Sequence, residues 1–155
     1  LKKVALGGTF DHFHRGHKRL IDRAFETGRY VVIGITTDRL ARELGKEELE
    51  PFDKRKRAVE GYIKREFKNV RYKIVGLNDP YGPVLKDPDI IGLVVSPETL
   101  RRGYEILKIR EGKEMPLDLY VVPFVLAEDG LPISSSRIRK GEIDENGRLL
   151  RRNDL

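Results

Sequence analysis

Cysteine and tryptophan are missing from this chain of 155 residues, methionine occurs once, and glutamine does not occur. Without cysteine there is no disulfide framework, no thiolate nucleophile and no cysteine-based zinc site. No stretch approaches the roughly 18 consecutive apolar residues that a membrane helix requires. The amino-terminal apolar run is too short for a secretory signal, so a cytoplasmic protein without a membrane partner is expected. Internal repeats, low-complexity tracts and Gly/Ser linkers are also lacking, which predicts one domain over residues 1–155. What the chain has in abundance is charge: 36% of residues, with 31 Lys+Arg against 25 Asp+Glu for a net +6. That balance favours an anionic partner without choosing one. The charge-rich composition resembles that of an intracellular protein from a hyperthermophile.

Five short Val/Ile-rich runs, at 4–6, 30–36, 70–75, 90–95 and 119–122, are nearly continuous rather than alternating and predict buried strands. Between them lie helical patterns. The first covers 15–27, with Leu20, Ile21, Ala24 and Phe25 on one face and Gly28 as its stop. The second covers 53–67 with Asp53 as N-cap, and the third 97–111 with Leu100, Tyr104 and Leu107 at helical spacing. The last begins at the capping cluster Ser134-Ser135-Ser136. Alternating strands and helices predict an α/β fold, a single Rossmann-like domain with a five-stranded parallel sheet and helices on both faces. Residues 142–155 lose the apolar pattern and are expected to form a charged tail.

All three histidines fall at positions 12, 14 and 17, in the segment that leaves the first strand. Ligands of open parallel sheets gather at the carboxyl ends of the strands, so chemistry is expected there. The spacing H-x-H-x-x-H superficially matches a binuclear zinc motif, but Gly16 stands where that motif has aspartate and no distal histidine remains. A nucleophile elbow of the G-x-S-x-G type is also missing. Phosphate recognition fits better. His14 and His17 share one side of the first helical turn, where free amides and the helix dipole favour an anion. Gly7 and Gly8 let backbone approach a ligand, Thr9 adds a hydroxyl, and Gly16, four before Leu20, is expected to let the helix approach the sheet closely. Nucleic-acid binding is the rival from another class, but lysine and arginine are interleaved with acidic residues, as in Lys46-Glu47-Glu48, and no aromatic-studded basic strand appears.

The run Gly7-Gly8-Thr9-Phe10-Asp11-His12-Phe13-His14-Arg15-Gly16-His17 resembles the H-x-G-H signature of the nucleotidyltransferase superfamily. Ile133-Ser134-Ser135-Ser136-Arg137-Ile138-Arg139 resembles its second signature. Asp79-Pro80-Tyr81-Gly82-Pro83 and Val94-Val95-Ser96-Pro97-Glu98-Thr99 are similar to the archaeal and eukaryotic type of phosphopantetheine adenylyltransferase. The arginine and glycine of the cytidylyltransferase pattern R-T-x-G-I-S-T-T have no counterpart in Gly130-Leu131-Pro132-Ile133. Other members of the superfamily, using nicotinamide mononucleotide, FMN or glycerol phosphate as acceptor, are the nearest alternatives.

The resemblance implies transfer of AMP from ATP to 4′-phosphopantetheine, with Mg²⁺ bound on the triphosphate rather than in a protein cage. It implies that His17 contacts the α-phosphate and His14 the β- or γ-phosphate, while Thr9 and Lys46 place the acceptor phosphate. Gly7, Gly8 and Gly16 would line the ATP site, and Ser134, Ser135, Ser136 and Arg137 or Arg139 would hold its outer phosphates. Tyr81 would wall the acceptor pocket. The bacterial R-G-x-R segment is replaced here, leaving Arg101 and Arg102, with Arg57 behind them, as candidates for phosphate neutralisation. Asp11 is expected to be a loop cap, and a monomer is favoured.

Overall fold

The computed structural model describes residues 2–46 and 48–150. Five parallel strands, β1 (Lys3–Gly8), β2 (Tyr30–Thr36), β3 (Arg71–Leu77), β4 (Ile90–Val95) and β5 (Asp118–Val121), form one sheet in the order β3-β2-β1-β4-β5. The chain winds outward from β1 through β2 to β3, then returns to lay β4 against the other side of β1. The switch point therefore lies between β1 and β4.

Alternation within each strand decides which helix it meets. Val4 and Leu6 of β1, with Val31, Ile33 and Ile35 of β2, face α1 (Arg15–Thr27) and α3 (Phe52–Glu66) through Ile21, Ala24, Val59 and Ile63. Ala5, Val32, Leu93 and Val95 face the other way, toward α4 (Leu100–Gly112) and a 3₁₀ turn at Gly82–Leu85. Both faces of the sheet are covered, which is why β1, β2 and β4 read as continuous apolar runs. β3 and β5 sit at the edges; β3 intersperses exposed with half-buried residues and β5 is exposed at both ends, so the expected burial of those two runs holds only at Val122. No helix among the described residues is long and apolar enough to cross a membrane.

Three helical details differ from the sequence pattern. A short α2 (Asp38–Glu43) is capped by the Thr37 side chain, which accepts from the Leu40 N–H. Pro51, not Asp53, precedes α3, leaving Asp53 in the first turn, where its charge suits the helix dipole. The buried line of α4 runs through Gly103, Ile106 and Arg110, while Tyr104 is exposed and Leu100 and Leu107 only flank the core. β4 and β5 approach this helix from below, and Gly103 leaves room for Val95 and Leu119.

The expected tail is largely structured. Ser134 caps α5 (Ser135–Arg139), after which Ile143 buries completely with Ala127 and Ile133, and Ile143 and Leu149 form an antiparallel bridge. The Glu145 carbonyl accepts the Arg15 N–H at 3.1 Å, so this turn closes against the start of α1. A few apolar anchors suffice to dock a short turn, which is why periodicity did not reveal it. Residues 151–155 lie outside the described residues.

Candidate active site

The loop from β1 to α1 is held in a costly conformation. Phe10 and His12 adopt positive φ angles of 55° and 45°, a region worth roughly 1–3 kcal/mol of strain for a residue with a side chain. Burial of Phe10 and a set of hydrogen bonds to Asp11 offset that strain. Asp11 is fully buried; its Oδ1 accepts the Glu50 N–H and its Oδ2 accepts Arg139, both at 2.8 Å. The Ser135 hydroxyl donates to the Asp11 carbonyl at 2.6 Å. Asp11 is thus not a local cap but a tie between the β1 loop, the segment before α3, and α5.

His14 and His17 at the start of α1 hold each other. Their rings stack with centroids 3.6 Å apart. Nδ1 of His14 accepts the Gly16 N–H at 3.0 Å, and Nδ1 of His17 accepts the His14 N–H at 3.1 Å. An Nδ1 that accepts must lack a proton, so these partners assign both neutral rings to the Nε2–H tautomer. Each ring therefore has an Nε2–H to offer the cavity both line. Gly16 has a different role from the expected one. A Cβ there would lie 2.8 Å from Cε1 and 3.0 Å from Nδ1 of His14. The glycine makes room for the imidazole, not for the sheet.

Burial, reinforced by the nearby His12, pushes His14 down to about 4 despite the opposing pull of Asp11. Burial lowers His17 as well, with His14 adding to the effect; Phe10 and Phe13 lie 5.3 and 5.6 Å from its ring centroid. Both are neutral donors at pH 7. An unfolded histidine takes its proton near 6.5, whereas folded His14 resists until about 4. The unfolded state binds the extra proton in that window, so stability is full above pH 6.5 and falls as pH drops toward 4. The expected loss from His14 is about 3 kcal/mol. Urea unfolding between pH 7 and 4.5 should show a steeper decline for the wild type than for His14→Asn, and equal slopes would contradict the assignment.

Two cavities open at the switch point, of about 260 and 180 Å³, and share Thr9, His17, Leu20, Lys46, Ser96 and Glu98 in their walls. The first is lined by His14, Gly16, Ser134, Ser135, Ser136 and Arg139, with Phe124 and Val125 beyond β5. The second is lined by Gly7, Gly8, Tyr81, Val84, Arg102 and Ile106. Gly7 and Gly8 thus sit away from the serines with which they were grouped. Lys46 is exposed and reaches both cavities. Asp79 Oδ1 accepts the Tyr81 and Gly82 N–H groups at 2.9 and 2.8 Å, forming the expected turn beside the second cavity.

Three candidate arginines lie elsewhere. Arg137 is bound to Asp129, to Glu142 at 2.9 Å and to the Pro132 carbonyl at 3.1 Å, and lines neither cavity. These carboxylates raise its pKa. Arg139, two residues on, faces the cavity instead. Arg101 lines neither cavity, unlike Arg102, and Arg57 is exposed on α3. Sequence reasoning missed Ser96 and Glu98 as lining residues, although both follow the carboxyl end of β4 beside the switch point. It also missed Phe124 and Val125, which no local pattern marks.

A doubly covered parallel sheet with an H-x-G-H turn at its switch point and a serine-capped helix opposite defines a nucleotidyltransferase. Residues 5–141 match the cytidylyltransferase-like family. The chain is 48% identical over 145 residues to a phosphopantetheine adenylyltransferase of Methanopyrus kandleri, covering 93% of this chain and 92% of that one. It is 44% identical to the protein of that name from Methanothermobacter thermautotrophicus, covering 96% and 90%. Among solved structures, a protein of unknown function from Archaeoglobus fulgidus superposes with a TM-score of 0.70 at 39% identity, over 79% of this chain and 89% of that one. A pantothenate synthetase of Thermus thermophilus shares the fold at a TM-score of 0.61 and 14% identity, over 89% and 61%. The chain belongs to the cytidylyltransferase-like family and, within it, to the phosphopantetheine adenylyltransferases.

Proposed function

We propose that the chain transfers AMP from ATP to 4′-phosphopantetheine, releasing pyrophosphate and forming dephospho-CoA. The carrying observation is the pair of Nε2–H donors on His14 and His17, His14 lining the first cavity and His17 lining both. In this reading the nucleotide's phosphates occupy the first cavity, near the amides of Ser135 and Ser136, the hydroxyls of Ser134 and Ser136 and the guanidinium of Arg139. The acceptor arm lies in the second cavity along Tyr81 and Val84, with its phosphate between Thr9 and Lys46. An acceptor phosphate oxygen attacks the α-phosphorus in line, the bond to the bridging oxygen breaks, and pyrophosphate leaves with the electron pair. The acceptor is ionised at neutral pH and needs no general base, so the protein's work is positioning and charge stabilisation.

His17, which lines both cavities, donates to the α-phosphate as charge builds there; His14 donates to the leaving phosphates. The neutrality of both rings suits donation and leaves phosphate charge to be balanced by Lys46, Arg102 and Arg139. Magnesium bound on the triphosphate would neutralise the leaving pyrophosphate. The lining carboxylates Glu48 and Glu98 suit contact through its water shell. Pyrophosphate release from ATP should occur with phosphopantetheine and not with nicotinamide mononucleotide, FMN or glycerol phosphate. Release with one of those acceptors and none with phosphopantetheine would overturn the reading.

A further inference from the structure

Arg110 is a buried cation for which the proposed chemistry has no use. It lies on α4, fully shielded from solvent. Its donors meet backbone carbonyls from two segments. Nη1 binds the Val84 carbonyl at 3.0 Å and approaches that of Asp87 at 3.5 Å. Nη2 binds Pro116 at 3.0 Å, and Nε binds Met115 at 3.3 Å. Burial lowers its pKa, opposed by the charge of Asp87. That carboxylate is itself engaged by Lys3 at 2.7 Å and by the Asp89 N–H at 2.9 Å.

An apolar side chain of similar volume would fill this space as well, but would leave the carbonyls of Val84, Met115 and Pro116 without their donor. Core filling alone therefore gives no reason for a guanidinium here. Its planar fork offers what an apolar chain cannot: fixed angles between carbonyls of separate segments. One of those segments is a wall of the second cavity, contributing Tyr81, Pro83 and Val84. Leu77, which lines the same cavity, crowds this wall too. Gly82 has φ +61°, and a Cβ there would lie 2.5 Å from Leu77 Cδ2. Ile106, one helical turn before Arg110, lines the same cavity.

We propose that Arg110 is a positioning residue for the acceptor, setting the width of the second cavity by fixing the Val84 segment against α4. The inference rests on the proposed function, since it takes that cavity as the site of the acceptor arm. A released wall would hold a slender arm loosely and discriminate less between a full and a shortened acceptor. Nucleotide binding in the first cavity would be unaffected.

The test measures pyrophosphate release by the full chain and its Arg110→Met variant, with KM for each substrate and kcat determined separately. KM for phosphopantetheine should rise about tenfold, while kcat and KM for ATP stay within about twofold. Preference for phosphopantetheine over 4′-phosphopantothenate, which lacks the thiol-bearing end, should fall severalfold. A merely structural role would lower the melting temperature and leave both KM values alone, or move them together; either result overturns the proposal. Should Arg110→Met not fold, Arg110→Lys carries the test. Its ammonium keeps the charge but cannot hold both segments, so the same split is expected at smaller amplitude, and wild-type kinetics would overturn the proposal. Absence of wild-type turnover with phosphopantetheine would instead overturn the proposed function.

Discussion

Replacing His17 by alanine should lower kcat by about 10²- to 10³-fold while ATP affinity falls no more than severalfold. That magnitude is typical of removing one preorganised donor from a developing charge. The donor is ready before substrate arrives, because the His14 N–H fills Nδ1 at 3.1 Å and leaves the proton on Nε2. Packing against Phe10, Phe13 and His14 holds the ring plane. A neutral donor of this kind gains most when charge concentrates on the α-phosphate, so its loss falls on the transition state more than on the bound substrate. Single-turnover rates and a direct ATP titration separate the two effects. Unchanged turnover, or a loss carried wholly by ATP affinity, would contradict the assigned role.

Arg55→Met should cost about 3–5 kcal/mol of stability, the range seen when one partner of a buried polar network is removed. Arg55 is fully buried at the start of α3. Its Nη1 donates to the carbonyls of Thr9 at 2.8 Å and Thr36 at 2.7 Å, Nε to that of Glu50 at 2.8 Å, and Nη2 to Asp38 at 2.8 Å. One guanidinium thus binds the chain leaving β1, the carboxyl end of β2 and the segment before α3. Methionine would leave the three carbonyls without this donor, each orphaned acceptor costing about 1–3 kcal/mol where water does not reach it. The melting temperature should fall by about 10 °C. Arg57→Met, two residues along and exposed, should stay within about 0.5 kcal/mol. Thermal and denaturant unfolding of both variants check the contrast, and equal losses would contradict it.

Much of the site was legible because its parts are local in sequence. Residues 7–17 contain a strand end, a turn and a helix start, so the clustered histidines could be placed at a helix N-terminus before any fold was known. Residues 133–139 are similarly self-contained, with Ser134 capping the helix that follows by accepting the Arg137 N–H. The reciprocal hydrogen bonds that assign the histidine tautomers were not legible. They depend on ring rotamers, and their consequence, two neutral donors, depends on burial. The docked turn at 142–150 was hidden for a related reason: a single buried Ile143 makes no periodic pattern.

By itself the sequence determined the alternation of strands and helices, hence the doubly covered parallel sheet, and the two motif segments that line the first cavity. These follow from side-chain periodicity and from residues a few positions apart. Tertiary structure decided which cations line the cavities and which are bound within the fold. Arg139 rather than Arg137 lines the first cavity, Arg102 rather than Arg101 lines the second, and Arg55 rather than Arg57 is buried. A one- or two-residue step on a helix turns a side chain through about 100° or 200°. Whether that turn ends on a carboxylate, a carbonyl or an open cavity depends on groups that only the fold brings near. Arg139 meets Asp11 across 128 positions of chain, a contact that no local reading of either residue contains.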